Sequence, residues 1–267
     1  MNRSMQLGIT TIQRDRAPWI EEWVAFHYLV GFRKFYIFTH LCSDNTEKIL
    51  DRLKKHFDIK IIPINELNDP QPKYHQYSCD NFLKEVDWMA FIDGDEFLFP
   101  TAQNSIEAVL KEFNDKKLSA LGVYWACFGS SGYIEEPPGF IVENYKYRAE
   151  DKYHNNRHIK SIIKGRHAAA FVKVGRDAHL FKTPFGTYDE NLRPVTCGWT
   201  DHEPSYKKIR INHYITQSRS FFFNFKKKAK LDIFKDDIDW EEHNKNDILD
   251  NSMDSYIGPL KDILNSI

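Results

Sequence analysis

The chain has 267 residues, with 37 Lys+Arg against 38 Asp+Glu and a formal charge of −1. That length admits one large α/β domain or two small ones, and the 42% hydrophobic, 28% charged composition excludes a disordered or collagen-like chain. Near-neutrality argues against a general nucleic-acid binder, while the 15% aromatic share suits a core or a cleft that stacks flat ligands.

From the N-terminus, Leu7 to Ile12 reads as a short β-rich run. Asp15 is the expected N-cap of a helix with Pro18 in its first turn, apolar residues from Trp19 to Phe26 at helical spacing, and Gly31 as its stop. Lys34 to Thr39 is the second strand, and Ser43 or Asp44 caps a helix carrying Ile49, Leu50, Leu53 and Phe57. Ile59 to Pro63 is a third strand. A helical stretch near Tyr77 to Val86 leads into Trp88 to Ile92, a wholly apolar fourth strand. Asn104 with Glu107 makes a capping box for Ile106 to Phe113, and Leu118 to Trp125 is the fifth strand.

This alternation predicts one α/β domain built on a mostly parallel sheet with helices on both faces, its ligands beyond the carboxyl ends of the strands. The less regular second half completes the same domain through about residue 230, and 231–267 is expected as an acidic helical extension packed on it. Cys42, Cys79, Cys127 and Cys197 form no CxxC pair, so reduced thiols in the cytoplasm are expected rather than a zinc site or a disulfide framework. No secretory segment and no membrane-spanning apolar run is visible.

Charge is unevenly spread. Ser205 to Lys230 holds eight basic residues and no acidic ones, whereas Asp232 to Asp254 holds nine acidic residues against two lysines. The plainer reading is a pair of solvated helices that neutralise each other. The sharper one notes Phe221, Phe222, Phe223 and Phe225 beside the lysines, and reads 219–230 as a peripheral contact with the inner face of an anionic membrane.

The most informative segment runs from Trp88 to Leu98, where a buried strand ends abruptly in Asp93, Gly94, Asp95 and Glu96. Three like charges at the mouth of a low-dielectric strand need a positive partner, and a divalent cation held through oxygen supplies one. Mn²⁺ or Mg²⁺ would leave open positions for the oxygens of a diphosphate. An aspartyl phosphatase would want Asp-x-Asp-x-Thr on the first strand, but Phe97 holds the Thr position. No P-loop, strand-linked GxGxxG or GxSxG elbow occurs, which leaves a nucleotide-sugar as the expected diphosphate ligand. Lys160, between Ile159 and Ile162–Ile163, also needs a counter-charge, which the leaving diphosphate could supply.

At this point a family resemblance becomes specific. Arg14 to His27, with Gly31-Phe32 after it, resembles the opening of glycosyltransferase family 92 and its bacterial family 2-like relatives, and Trp88 to Leu98 looks like their Asp-x-Asp signature. Trp125 to Tyr133, Lys160 to Ile163, and Ile211 to Tyr214 with Ser218 are similar to three further motifs in the right order. The resemblance implies a GT-A fold, a Rossmann-like mixed, mostly parallel sheet flanked by helices. It also implies metal-dependent, inverting sugar transfer from a nucleotide donor, a UDP-sugar by expectation, to a glycan or glycolipid of a surface polysaccharide. Asp93 and Asp95 inherit the metal, with His213 completing its site. Gly129, Ser130, Ser131 and Gly132 line the donor sugar. Thr10, Thr11, Asp15 and Asp44 fall where the nucleotide is held. Glu143 ranks first as the base for the acceptor hydroxyl, ahead of Glu136, Asp177 and His179. Three departures, Arg14-Asp15, Thr39 to Asp44, and Gln217, touch the nucleotide and acceptor sides, so a non-catalytic nucleotide-sugar or carbohydrate binder is the alternative.

Overall fold

The computed structural model describes residues 4–66, 70–172, 179–226 and 237–267. In chain order the first half is β1 (Leu7–Gln13), α1 (Ile20–Leu29), β2 (Lys34–His40), α2 (Thr46–Leu53), β3 (Asp58–Ile64), α3 (Gln71–Asn81), β4 (Trp88–Phe91), β5 (Glu96–Pro100), α4 (Ile106–Asn114) and β6 (Ala120–Cys127). The second half follows with α5 (Ile141–Asn144), β7 (Tyr147–Arg148), β8 (Ile159–Lys164), β9 (Ala170–Val172), β10 (Leu180–Lys182), β11 (Thr187–Tyr188), β12 (Pro194–Val195), β13 (Ile209–His213), α6 (Asp237–His243), β14 (Ile248–Leu249) and α7 (Asp254–Asn265).

The expected α/β architecture is present. The central sheet runs β12-β11-β6-β8-β4-β1-β2-β3, with β3, β2, β1 and β4 mutually parallel and β8 inserted antiparallel between β4 and β6. The β-α-β rhythm dictates the parallel half, because each crossover helix returns the chain to the end of the sheet where the previous strand began. The apolar side chains of β4 are all buried: Trp88 and Ala90 join Trp23, Phe26 and Phe35 in the main core, while Met89 and Phe91 pack with Tyr36, Phe38 and Phe181 in a second one. Among the described residues no helix is long and apolar enough to cross a membrane.

Four boundaries differ from the sequence reading. α2 starts behind Asn45, not a Ser43 or Asp44 cap, and ends at Leu53, short of Phe57. α1 begins at Ile20, not after an Asp15 cap, because Asp15 has a left-handed φ of 49° and turns its carboxylate toward the next loop. α3 starts at Gln71, where Pro72 presets the first turn, and gives way to a single 3₁₀ turn, Leu83–Glu85. α4 is capped by Ser105, whose Oγ accepts the Ala108 N–H at 3.2 Å, while Glu107 reaches the Met5 N–H and Lys111.

The C-terminal segment packs on this domain. β14 pairs with β7, Lys261 of α7 reaches Glu143, and Tyr256 lies edge-on to Phe99.

Candidate active site

The Asp-Gly-Asp-Glu turn lies where the chain leaves the main sheet. β4 pairs with β1 and β8, but β5 pairs only with β13, so the turn bridges two sets of strand partners. Parallel register sets Thr10 opposite Phe91. The end of β1 therefore runs beneath the turn, and a Cβ on Gly94 would stand 2.1 Å from Gln13 Oε1. Any larger residue there would have to displace the buried Gln13 side chain. Glu96 folds back to accept the Asp93 N–H at 2.9 Å, and Trp23 Nε1 donates to the Glu96 carbonyl at 2.9 Å.

Two buried cations face the acids. Lys160 Nζ, on β8, lies 2.5 Å from Asp93 Oδ2 and 3.5 Å from Glu96 Oε1, with the lysine only 2% exposed. Burial acts to lower its pKa, but Asp93 and Glu96 outweigh that and the net direction is upward. Arg16 donates from Nη2 to the Gly94 carbonyl at 2.8 Å and lies 4.6 Å over the Trp19 ring. Its burial pulls its pKa down against the attraction of Asp95, Glu136, Glu22 and Asp44. Glu96 is fully buried, and its pKa is raised first by that burial, against Lys160 and with the help of Asp93 and Asp95.

The register of β13 places His213 opposite Glu96 on β5 and opposite Cys127 on β6. Its Nε2 lies 3.6 Å from Asp95 Oδ1, and its ring packs 4.2 Å from Trp125. Asp95 and His213 thus face each other at the turn, with Asp93 two residues before Asp95, although the ligand atoms of all three do not lie within 4.8 Å of one another. Two carboxylates and an imidazole form a donor set suited to Mn²⁺ or Mg²⁺, and Asp95 and His213 are near enough to share one ion.

The nucleotide-side residues divide. Thr10 and Thr11 are fully buried, with their hydroxyls on Ser78 (2.9 Å) and Gln13 (2.8 Å), so they brace β1 and do not open onto a pocket. Asp15 and Asp44 do reach the surface and line a cavity of about 260 Å³ with Arg14, Pro18, Trp19, Ser43 and Phe225. The cavity is smaller than the ~300–1,000 Å³ of a whole-ligand pocket, so it suits one fragment such as a base or ribose. Asp15, Cys42 and Asp44 offer ligand atoms within 4.8 Å of one another. However, Asp15 Oδ1 already accepts the Ser43 and Asp44 N–H groups, Asp44 Oδ1 accepts from Thr46, and burial pushes the Cys42 thiol up to about 11. This trio is a clasp between two loops.

Gly129 to Gly132 forms a turn after β6 that is pinned from the C-terminal segment. Ser130 N–H donates to Asn244 Oδ1 and Ser131 N–H to Asn246 Oδ1, both at 2.8 Å, and a Cβ on Gly129 would meet the Lys245 carbonyl at 2.3 Å. Glu143, expected as the base, is half-exposed and paired with Lys261 of α7 at 2.9 Å. Glu136 accepts from Tyr145 Oη and the Ser218 N–H, each at 2.9 Å. His179 packs 5.6 Å from Trp125, and its pKa is carried well below the usual value by burial and then by Lys160. Asp177 lies outside the described residues.

Sequence reasoning missed Arg16 and Glu22. Glu22 accepts the Ile141 and Val142 N–H groups at 2.8 and 3.0 Å, tying α1 to the start of α5. Phe221 and Phe222 are buried against Trp19 and Trp240, which removes them from any membrane face. Arg219 pairs with Asp237 at 3.4 Å, and Lys227, Lys228 and Lys230 lie outside the described residues.

A mostly parallel sheet flanked by helices, with an Asp-x-Asp turn at the carboxyl edge of a central strand, is a GT-A architecture. The chain belongs to glycosyltransferase family 92, whose model matches residues 5–246. A family 92 protein of Oryza sativa subsp. japonica is 24% identical over 151 residues, covering 55% of this chain and 25% of the relative. Galactan beta-1,4-galactosyltransferase GALS2 of Arabidopsis thaliana is 25% identical over 101 residues, covering 34% of this chain and 19% of the relative. The chain thus spans about a quarter or less of these relatives' length. A solved structure of S. aureus TarS 1-349 in complex with UDP-GlcNAc aligns over 60% of this chain and 46% of its own, at 13% identity and a TM-score of 0.40.

Proposed function

We propose that the chain is a metal-dependent, inverting glycosyltransferase that moves a sugar from a nucleoside diphosphate donor, a UDP-sugar first among them, to a glycan or glycolipid of a surface polysaccharide. The observation that carries this reading is the Asp93–Glu96 turn with buried Lys160 and Arg16 on it, in a chain of this family. Asp93, Asp95 and His213 would hold Mn²⁺ or Mg²⁺. When bound, that ion supplies positive charge to the diphosphate oxygens as the sugar–phosphate bond breaks.

The chain's own residues do the rest. Lys160 places a buried ammonium group beside the same oxygens, where low dielectric strengthens its pull on developing negative charge. Gln13, filling the space under Gly94, fixes the turn and keeps the carboxylates from following the departing group. The cavity at Asp15, Asp44 and Trp19 takes the base or ribose. We assign the acceptor proton to Glu136 over Glu143, because Arg16 is bonded to the turn and feels the charges of both Asp95 and Glu136.

Release of nucleoside diphosphate from a panel of nucleotide-sugars, with Mn²⁺ present or chelated, tests the reading. Asp95→Asn should lower turnover about 100-fold or more. No metal-dependent release from any donor would leave a non-catalytic binder instead. Hydrolysis of simple phosphate esters without an acceptor would point to a phosphohydrolase.

A further inference from the structure

Lys160 occupies an unusual position for a residue that serves the leaving group. Its Nζ is not poised over open space but is bonded to Asp93 Oδ2, one of the oxygens a metal would need. Beside it, Glu96 Oε1 is buried and has no hydrogen-bond partner, although the ammonium group stands only 3.5 Å away. A buried carboxylate oxygen without a donor is costly. One short movement of Nζ, from Asp93 toward Glu96, would satisfy it and free Asp93 at the same time.

Building on the metal-dependent reading above, we propose that Lys160 is a displaceable internal cation, paired with Asp93 in the metal-free enzyme and with Glu96 once a divalent ion takes Asp93 and Asp95. The charges support the exchange. Without an ion, Asp93, Asp95 and Glu96 crowd one turn, and Lys160 and Arg16 relieve most of their repulsion. With an ion bound, a lysine left on Asp93 would set two positive charges on one carboxylate, while Glu96 would keep its unpaired oxygen in a fully buried position. Among the described residues no other group supplies that oxygen with a donor, and the other Glu96 oxygen is already on the Asp93 N–H. The Glu96 carboxylate is therefore the second station for the lysine.

The device has two consequences. The ion must compete with a lysine that is already in place, so its apparent affinity is reduced by the fraction of molecules in which Lys160 has left Asp93. Loss of the ion and diphosphate would let Lys160 return to Asp93. Lys160 therefore couples metal binding to the presence of the diphosphate, which gives the ammonium group a second anionic partner in addition to Glu96.

The test titrates the 267-residue chain with Mn²⁺ alone and counts free ion by electron paramagnetic resonance. Lys160→Met should bind Mn²⁺ about tenfold tighter or more, since the competitor is gone. A crystal of the wild-type chain grown with Mn²⁺ and UDP gives the positional readout and does not depend on the variant folding. There, Lys160 Nζ should lie within about 3.2 Å of Glu96 Oε1 and off Asp93. Equal or weaker Mn²⁺ binding by a folded Lys160→Met chain, or a lysine still on Asp93 beside a bound ion, overturns the exchange and leaves metal dependence standing. Absence of Mn²⁺ binding by both chains overturns the exchange and the metal-dependent reading together.

Discussion

Glu22 gives the sharpest quantitative prediction. It lies in the first turn of α1, is 4% exposed, and accepts two backbone N–H groups from the start of α5. Burial raises its pKa from 4.5 to about 8, although those two amides and Arg16 pull the other way. A carboxyl whose pKa is higher in the folded chain holds its proton more tightly there than when unfolded. Its contribution to stability is then complete below the unfolded value and is lost as pH rises through the folded one. The window is therefore about pH 4.5 to 8. At 1.36 kcal/mol per unit, the shift corresponds to a total loss of about 5 kcal/mol once the pH has passed through both values. Glu22→Gln keeps the shape and one acceptor but cannot ionise. Urea unfolding of both chains at pH 5.0 and 8.5, followed by tryptophan fluorescence, isolates this group from every other titration. Relative to the variant, the wild type should lose on the order of 3–4 kcal/mol at the higher pH. A stability difference that is the same at both pH values would show Glu22 ionised throughout, with Arg16 and the amides outweighing burial.

Three smaller perturbations test the framework of the site. Gly94→Ala drives a methyl group into Gln13 Oε1 and should weaken donor binding in a calorimetric titration, and Gln13→Ala in the same chain should restore much of it. Gly165→Ala sets a Cβ 1.7 Å from the Val86 carbonyl, a backbone atom that cannot step aside, and should cost about 2–3 kcal/mol in denaturant unfolding. His27 bonds the Trp23 carbonyl and the Leu98 N–H in full burial, which lowers its pKa to about 3. Its ring signals should not move between pH 5 and 8, and His27→Leu should cost about 1–3 kcal/mol by stranding the Leu98 N–H.

The legible part of the site was the part whose physics is local. An apolar strand that ends in three acids cannot be stable without positive charge, so Asp93 and Asp95 stood out. A lysine inside an isoleucine run needs an anion, so Lys160 did too. Arg16 could not be read this way. It sits in Arg14-Asp15-Arg16, a run that looks like solvated charge, and it turns inward because the Gly94 carbonyl and the Trp19 face wait for it in the fold. Glu22 likewise reads as a routine acid in a first helical turn, yet its partners lie more than a hundred residues away. The Asp15 cap failed for a similar reason. Its carboxylate finds better donors in the Ser43 loop than at a helix end, and the left-handed backbone follows from that choice.

These long-range contacts also explain why the acidic turn can be rigid before any ligand arrives. Gln13 from β1 fills the space under Gly94, Arg16 from the following loop holds its carbonyl, Trp23 from α1 holds Glu96, and His213 from β13 stands beside Asp95. Four side chains therefore fix one short turn, and Arg16, Trp23 and His213 are each held by aromatic neighbours. A carboxylate pair set this firmly pays little entropy to take up an ion, so the geometry of the site is set by the fold and its charge state by Lys160. On this argument, loosening any one of the four supports should weaken metal and donor binding together, whereas removing Lys160 should separate them: tighter metal, poorer turnover.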